Sequence, residues 1–181
     1  MKKLIFLFVL GFALQASAQI KEVTIQASGL TCSMCSKSIY KSLSAVAFVQ
    51  EVKSDIKNSA FVISFKDSTV VDLDVLKKAV TDAGFSVASC KAVVNFTNQS
   101  IKNDAHIEQA GKTWHFLNVQ SQTLNGTKTV VLVDKHFVIA KEFKKYSKFT
   151  TMKCYETGVM ESCCTKPNSN AGKRIYHVTI I

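Results

Sequence analysis

The chain has 181 residues, a formal net charge of +10 and 47% hydrophobic residues, apolar material enough to build a packed core without covalent staples. Its lysines are scattered rather than clustered, which argues for a solvated basic surface and against a nucleic-acid partner. Six cysteines in this length do not by themselves define a disulfide framework, so each is judged in its own setting.

The opening residues, MKKLIFLFVLGFALQASAQ, read as a leader over 1–18. Lys2 and Lys3 make a positive start and Leu4 to Leu14 an apolar run, too short to span a bilayer. Ala16-Ser17-Ala18 supplies the small residues of a cleavage site before Gln19. Cleavage removes two lysines and no acid, leaving +8. No cysteine stands at the cut, which argues against a lipid anchor. The expected location is periplasmic or secreted, with no stable membrane insertion.

The mature chain begins with period-two alternation. Val23, Ile25 and Ala27 face one side and Glu22, Thr24 and Gln26 the other, a strand. After Gly29-Leu30-Thr31, the apolar positions Ile39, Leu43 and Val46 take helical spacing. Phe48 to Val52 reads as a second strand, Ser54 to Asn58 as a turn, and Phe61, Ile63 and Phe65 as a third strand. Asp72 is a helix N-cap before Leu73, Leu76, Ala79, Val80 and Ala83. Gly84 closes that helix, and Phe85 and Val87 open a fourth strand ending near Ala92. This order, βαββαβ, predicts an α+β ferredoxin-like unit over 19–94, with both helices on one face of the sheet.

The remainder has another texture. Asn95 to Gly111 is polar and reads as a linker over 95–111. His115 to Val119, Thr129 to Val133, Phe137 to Ala140 and Ile175 to Ile181 read as strands. Turn signals stand at Leu124-Asn125-Gly126-Thr127 and Asp134-Lys135. Ile139, Phe143 and Tyr146 share a helical face whose opposite side is lysine-rich. Residues 112–181 are therefore expected to form a small β-rich barrel of the OB type.

The chemistry concentrates in Gly29-Leu30-Thr31-Cys32-Ser33-Met34-Cys35. Cys32 leaves the first strand and Cys35 enters the first helix. There the exposed N–H groups and the helix dipole favour thiolate. Two convergent thiolates suit Cu(I) foremost, with Zn(II) and toxic soft ions as competitors. Two ligands are too few for a structural zinc, and an open pair lets an incoming thiolate add before the old ones leave.

This stretch, with Gly84-Phe85, resembles the heavy-metal-associated domain, whose signature is Gly-Met-Thr-Cys-x-x-Cys and whose fold is the same split βαβ unit. The resemblance spans Ile20 to Val93. It implies that Cys32 and Cys35 are metal ligands for Cu(I), with Hg(II), Zn(II) or Cd(II) as other cargoes, and that the partner is a membrane metal transporter or another metal-binding protein. Leu30 replaces the usual methionine and keeps an apolar side chain. Phe85 stands where stand-alone chaperones often carry lysine, which speaks against an ordinary soluble chaperone.

A thiol–disulfide oxidoreductase is the competing reading of the same pair, and a mercury-resistance component another. Thioredoxin-like enzymes need a cis-proline facing the thiols, and the one proline, Pro167, is far away in sequence. No nucleophile–base pair, phosphate loop or paired-carboxylate motif is legible, so no enzymatic activity is expected. The segment Thr151 to Thr165 gathers Met152, Cys154, Met160, Cys163 and Cys164. A disulfide from Cys154 to Cys163 or Cys164, with Cys90 as a further candidate partner, is the first reading. A second copper site joined by His177 or His115 is the other. The histidines at 106, 115, 136 and 177 show no ligand spacing and read as ordinary surface or strand residues.

Overall fold

The computed structural model describes residues 20–30, 33–161 and 172–181. The leader, Cys32, Cys163, Cys164 and Pro167 lie outside the described residues.

The first half follows the expected order. Strand β1 (Ile20–Ser28), helix α1 (Ser33–Ser44), strands β2 (Val49–Asp55) and β3 (Ala60–Phe65), helix α2 (Leu73–Asp82) and strand β4 (Ser86–Ile101) alternate as read from the pattern. β1 lies between β3 and β4, antiparallel to both. Val23, Ile25, Phe61 and Ile63 from the strands meet Ile39, Leu43, Leu73, Leu76 and Val80 from the helices in one core. Asp72 caps α2 by accepting from the amides of Asp74 at 2.8 Å and Val75 at 3.3 Å, which satisfies donors the helix itself leaves unpaired. Gly84 follows with φ of 89°, the left-handed conformation that stops the helix.

Beyond residue 94 the structure departs from expectation. Residues 95–101 continue β4, and β5 (Ala105–Gln109) occupies most of what remains of the stretch read as a linker. The polar residues there are one face of a strand. Val94, Phe96 and Ile101 are buried, whereas Thr97, Asn98 and Ser100 are exposed, and only the exposed set suggests a loop.

Strands β6 (Lys112–Phe116), β7 (Gln122–Leu132) and β8 (Ile175–Ile180) complete one mixed sheet of eight strands, in the order β2-β3-β1-β4-β7-β8-β6-β5. The expected OB-type barrel is not formed: among the described residues the sheet stays open, with β2 and β5 as its edges. The reason lies in β4. It is sixteen residues long and pairs with β1 on one side and with β7 on the other, from Cys90↔Leu132 to Ile101↔Gln122. The later strands therefore extend an existing ladder instead of closing on themselves.

Two turn and strand expectations are also corrected. Leu124 to Thr127 lies inside β7, where the ladder shifts register between Phe96 and Gln99. Gly126 has φ of 72° there, so the glycine marks a bulge rather than a hairpin turn. Phe137 to Ala140 is not a strand. The Phe137 amide closes a turn onto the Asp134 carbonyl at 3.1 Å, which sends the Phe137 ring into the core. Helix α3 (Ala140–Tyr146) then carries the expected Phe143 and Tyr146, and α4 (Cys154–Thr157) is a single short turn. Trp114, Phe116, Phe137 and Tyr176 join the same apolar cluster as Val23 and Leu76, so both halves share a core. No helix among the described residues is long and apolar enough to cross a membrane.

Candidate metal centres

The first centre is the loop between β1 and α1. β1 leaves its ladder at Gly29, whose φ is 81°, a backbone state that costs a residue with a Cβ about 1–2 kcal/mol. Leu30 packs against the core as a partly buried residue, in keeping with the apolar role expected of it. Cys35 is half-buried in the first turn of α1, next to an exposed Met34. The helix N-terminus there supplies the positive potential that favours thiolate. Phe85, immediately after Gly84, packs on the core, and its amide donates to the Val80 carbonyl at 3.2 Å.

A second cluster lies at the far edge of the sheet. β5 and β6 form a hairpin in which His106 faces His115, and β8 runs parallel to β6 with His177 beside His115. The rings of His106 and His115 stack with centroids 4.1 Å apart. His177 meets His115 edge-on at 4.9 Å. His115 and His177 are fully buried. From α4, Cys154, also fully buried, brings its Sγ to 3.8 Å from His115 Nδ1. One ligand atom from each of His106, His115 and Cys154 can be chosen so that all lie within 4.8 Å of one another.

The protonation of this cluster follows from its surroundings. Burial, with the neighbouring imidazoles His106 and His177, drops His115 to about 2, so the ring is neutral. Asp104 Oδ1 lies 3.0 Å from His115 Nε2. A carboxylate only accepts, so Nε2 carries the proton and the Nδ1 lone pair points toward Cys154. Burial likewise lowers His106, and its Nε2 is buried without a hydrogen-bond partner. His177 is turned the other way: its Nδ1 donates to Asp134 Oδ1 at 2.9 Å.

Of the residues singled out in the sequence, Cys35 lies in the first turn of α1, and Cys32 lies outside the described residues. Cys154 and His115 come together, as one reading of the second sulfur-rich segment had it, while His177 is not among the three clustered ligands. His106 was missed as a ligand candidate. Its neighbour is set by hairpin register across nine positions, not by a short local spacing, and Cys154 arrives from 39 residues after His115. Cys90 sits in the middle of β4 with its thiol unbridged and fully buried.

Strands β1 to β4 with helices α1 and α2 form an α+β unit that carries a thiol in the first turn of its first helix. Residues 24–86 match the heavy-metal-associated domain, and that segment is such a domain, while the rest of the chain is left unassigned. Over 74 residues the chain is 31% identical to a probable copper-exporting P-type ATPase of Archaeoglobus fulgidus; the matched stretch is 41% of this chain and 9% of that protein. Among solved structures, oxidized MerP from Ralstonia metallidurans CH34 is 33% identical, covering 37% of this chain and 94% of its own, with a TM-score of 0.34. The CopZ metallochaperone is 21% identical, covering 37% and 98% respectively, also with a TM-score of 0.34. A heavy-metal-associated domain implies heavy-metal binding.

Proposed function

We propose that the protein is an exported carrier or store of Cu(I), held by the thiolates of Cys32 and Cys35 and passed on by thiolate exchange. The observation that carries this reading is the heavy-metal-associated match over 24–86, whose loop presents Cys35 in the first turn of α1. A two-thiolate site at a helix N-terminus stabilises a soft monovalent ion, yet leaves room for a third thiolate, the geometry a transfer needs. The copper-exporting ATPase relative supports copper as the cargo and a membrane transporter as the acceptor. Export to a periplasm or the exterior belongs to the same proposal and rests on the composition of Met1 to Ala18. It requires that the ion arrive already bound or that a reductant keep the two thiols apart.

The test is anaerobic titration of the reduced protein with Cu(I) against a chromogenic chelator. The Cys32→Ser, Cys35→Ser double variant loses one tight equivalent relative to the parent. Equal copper retention by both proteins sinks the reading. Insulin reduction by the parent but not the variant would assign the pair to thiol–disulfide exchange instead.

A further inference from the structure

We propose that His106, His115 and Cys154 form a second copper site, separate from the Cys32–Cys35 loop and built into the part of the chain that follows the heavy-metal-associated segment. Three observations carry it. The first is convergence. Two imidazoles and one thiol, from β5, β6 and α4, bring ligand atoms within 4.8 Å of one another. The second is spacing. A first-row metal ion bound at about 2.3 Å to sulfur and about 2.0 Å to nitrogen, with an angle near 120°, separates those two atoms by about 3.7 Å. Cys154 Sγ and His115 Nδ1 stand 3.8 Å apart. The third is orientation. Asp104 accepts from His115 Nε2 at 3.0 Å, so the other ring nitrogen is presented to the sulfur, the carboxylate–histidine arrangement that fixes a ligand's tautomer in metal sites. His106 Nε2 is buried and without a hydrogen-bond partner, and in the tautomer that carries its proton on Nδ1 it offers a lone pair to a metal.

The surroundings favour a soft ion over a hard one. Cys154 packs in an apolar cluster with Met160 and Ile175, and Met152 lies against it. Two imidazoles, one thiolate and nearby thioethers are a donor set for copper rather than for a hard cation. The same Asp104, His115 and Cys154 also resemble a nucleophile held by an oriented histidine. That reading fails on access: the Cys154 side chain is fully buried, so a substrate carbonyl cannot reach it. His106, by contrast, is only partly buried. Cysteine, losing its proton on binding, would carry the negative charge, and the two neutral imidazoles complete the set.

The experiment uses the full chain with Cys32→Ser and Cys35→Ser, reduced and loaded with Cu(I) without oxygen, so that failure at the first centre does not affect the result. The expected outcome is one retained equivalent under chelator competition, with an X-ray absorption shell of mixed sulfur and nitrogen. Adding His106→Gln or Cys154→Ser releases that equivalent. His106 is the safer probe, because it is partly exposed and glutamine keeps its polarity, and circular dichroism checks the fold of each variant. Asp104→Asn keeps the stoichiometry and weakens binding by about 10–100-fold, since it acts by positioning His115. Three results overturn the proposal: no copper retained by the folded background protein, retention unchanged by His106→Gln, or a disulfide linking Cys154 to Cys163 or Cys164 in protein isolated without oxygen.

Discussion

Arg174 Nε donates to Asp74 Oδ2 across 2.8 Å, joining the approach to the last strand to the second helix of the metal-binding half. Lys77 and the Tyr176 hydroxyl reach the same carboxylate at 2.8 and 2.9 Å. Burial alone would raise the Asp74 pKa, but the bonds and charges of Arg174 and Lys77 prevail and hold it at about 2, below its ordinary 3.8. A carboxylate depressed in the folded state adds stability that is fully present above its unfolded pKa and drains away as pH falls through its folded one. Asp74→Asn therefore destabilises the protein by about 1–2 kcal/mol at pH 7, after allowance for partial exposure. The gap between parent and variant narrows below pH 4 and closes toward pH 2. Urea unfolding of both proteins across that range reads it directly, and a pH-independent gap would show that the ion pair contributes nothing.

Asp134 is the buried counterpart of this link. It accepts from Arg174 Nη1 at 3.1 Å, from the His177 amide at 2.8 Å and from His177 Nδ1 at 2.9 Å, with its side chain 4% exposed. Removing the buried carboxylate leaves the His177 amide and ring N–H without their acceptor and Arg174 with Asp74 as its remaining partner charge, at about 3–5 kcal/mol. Asp134→Ala is expected to fall in that range. Asp134→Asn, which still offers one acceptor oxygen, is expected to lose less. The midpoint of denaturant unfolding gives both values, and an Ala variant within 1 kcal/mol of the parent (about one weak hydrogen bond) refutes the account.

The hydroxyl of Tyr155 is shared between the carbonyls of Val133 at 2.9 Å and Phe143 at 2.8 Å, and its ring stacks on Phe143 with centroids 4.5 Å apart. Tyr155→Phe keeps the stack and loses the shared proton. A loss of about 1–2 kcal/mol follows, from one buried and one part-buried acceptor left short of a donor. The loosening should be local: amide exchange in α3 quickens while β1 and β3 keep their protection. Uniform acceleration across the sheet would show instead that Tyr155 supports the whole core.

The first half was legible because its signals are local. Asp72 before an apolar helical stripe, Gly84 after it, and the alternation of β1 and β3 each state a backbone preference that packing then obeys. The second half hides its architecture in long-range pairing. Nothing near Asn95 announces that β4 continues to Ile101, because the partner that stabilises it, β7, begins at Gln122. Gly126 signals left-handed backbone correctly, but a bulge and a hairpin turn use the same residue. The histidine and cysteine cluster is hidden in the same way. Only the pairing of β5 with β6 and the return of α4 bring its members together.

Cys90 gives a last prediction, about which thiols can take part in any chemistry. It sits opposite Ile25 on β1 and Leu132 on β7, fully buried. Burial, followed by the nearby charge of Asp134, pushes its pKa well above the ordinary thiol value. A thiol reacts as its thiolate, and here the anion is disfavoured and no reagent has access. In native protein Cys90 should stay unmodified by iodoacetamide through conditions that label exposed thiols, and become labelled once denaturant passes the unfolding midpoint. Non-reducing peptide maps should return it unbridged, which leaves Cys163 and Cys164 as the remaining candidate partners for Cys154. Labelling of Cys90 at native stability would mean that β4 opens away from β1 and β7, and the shared core of the two halves would have to be redrawn.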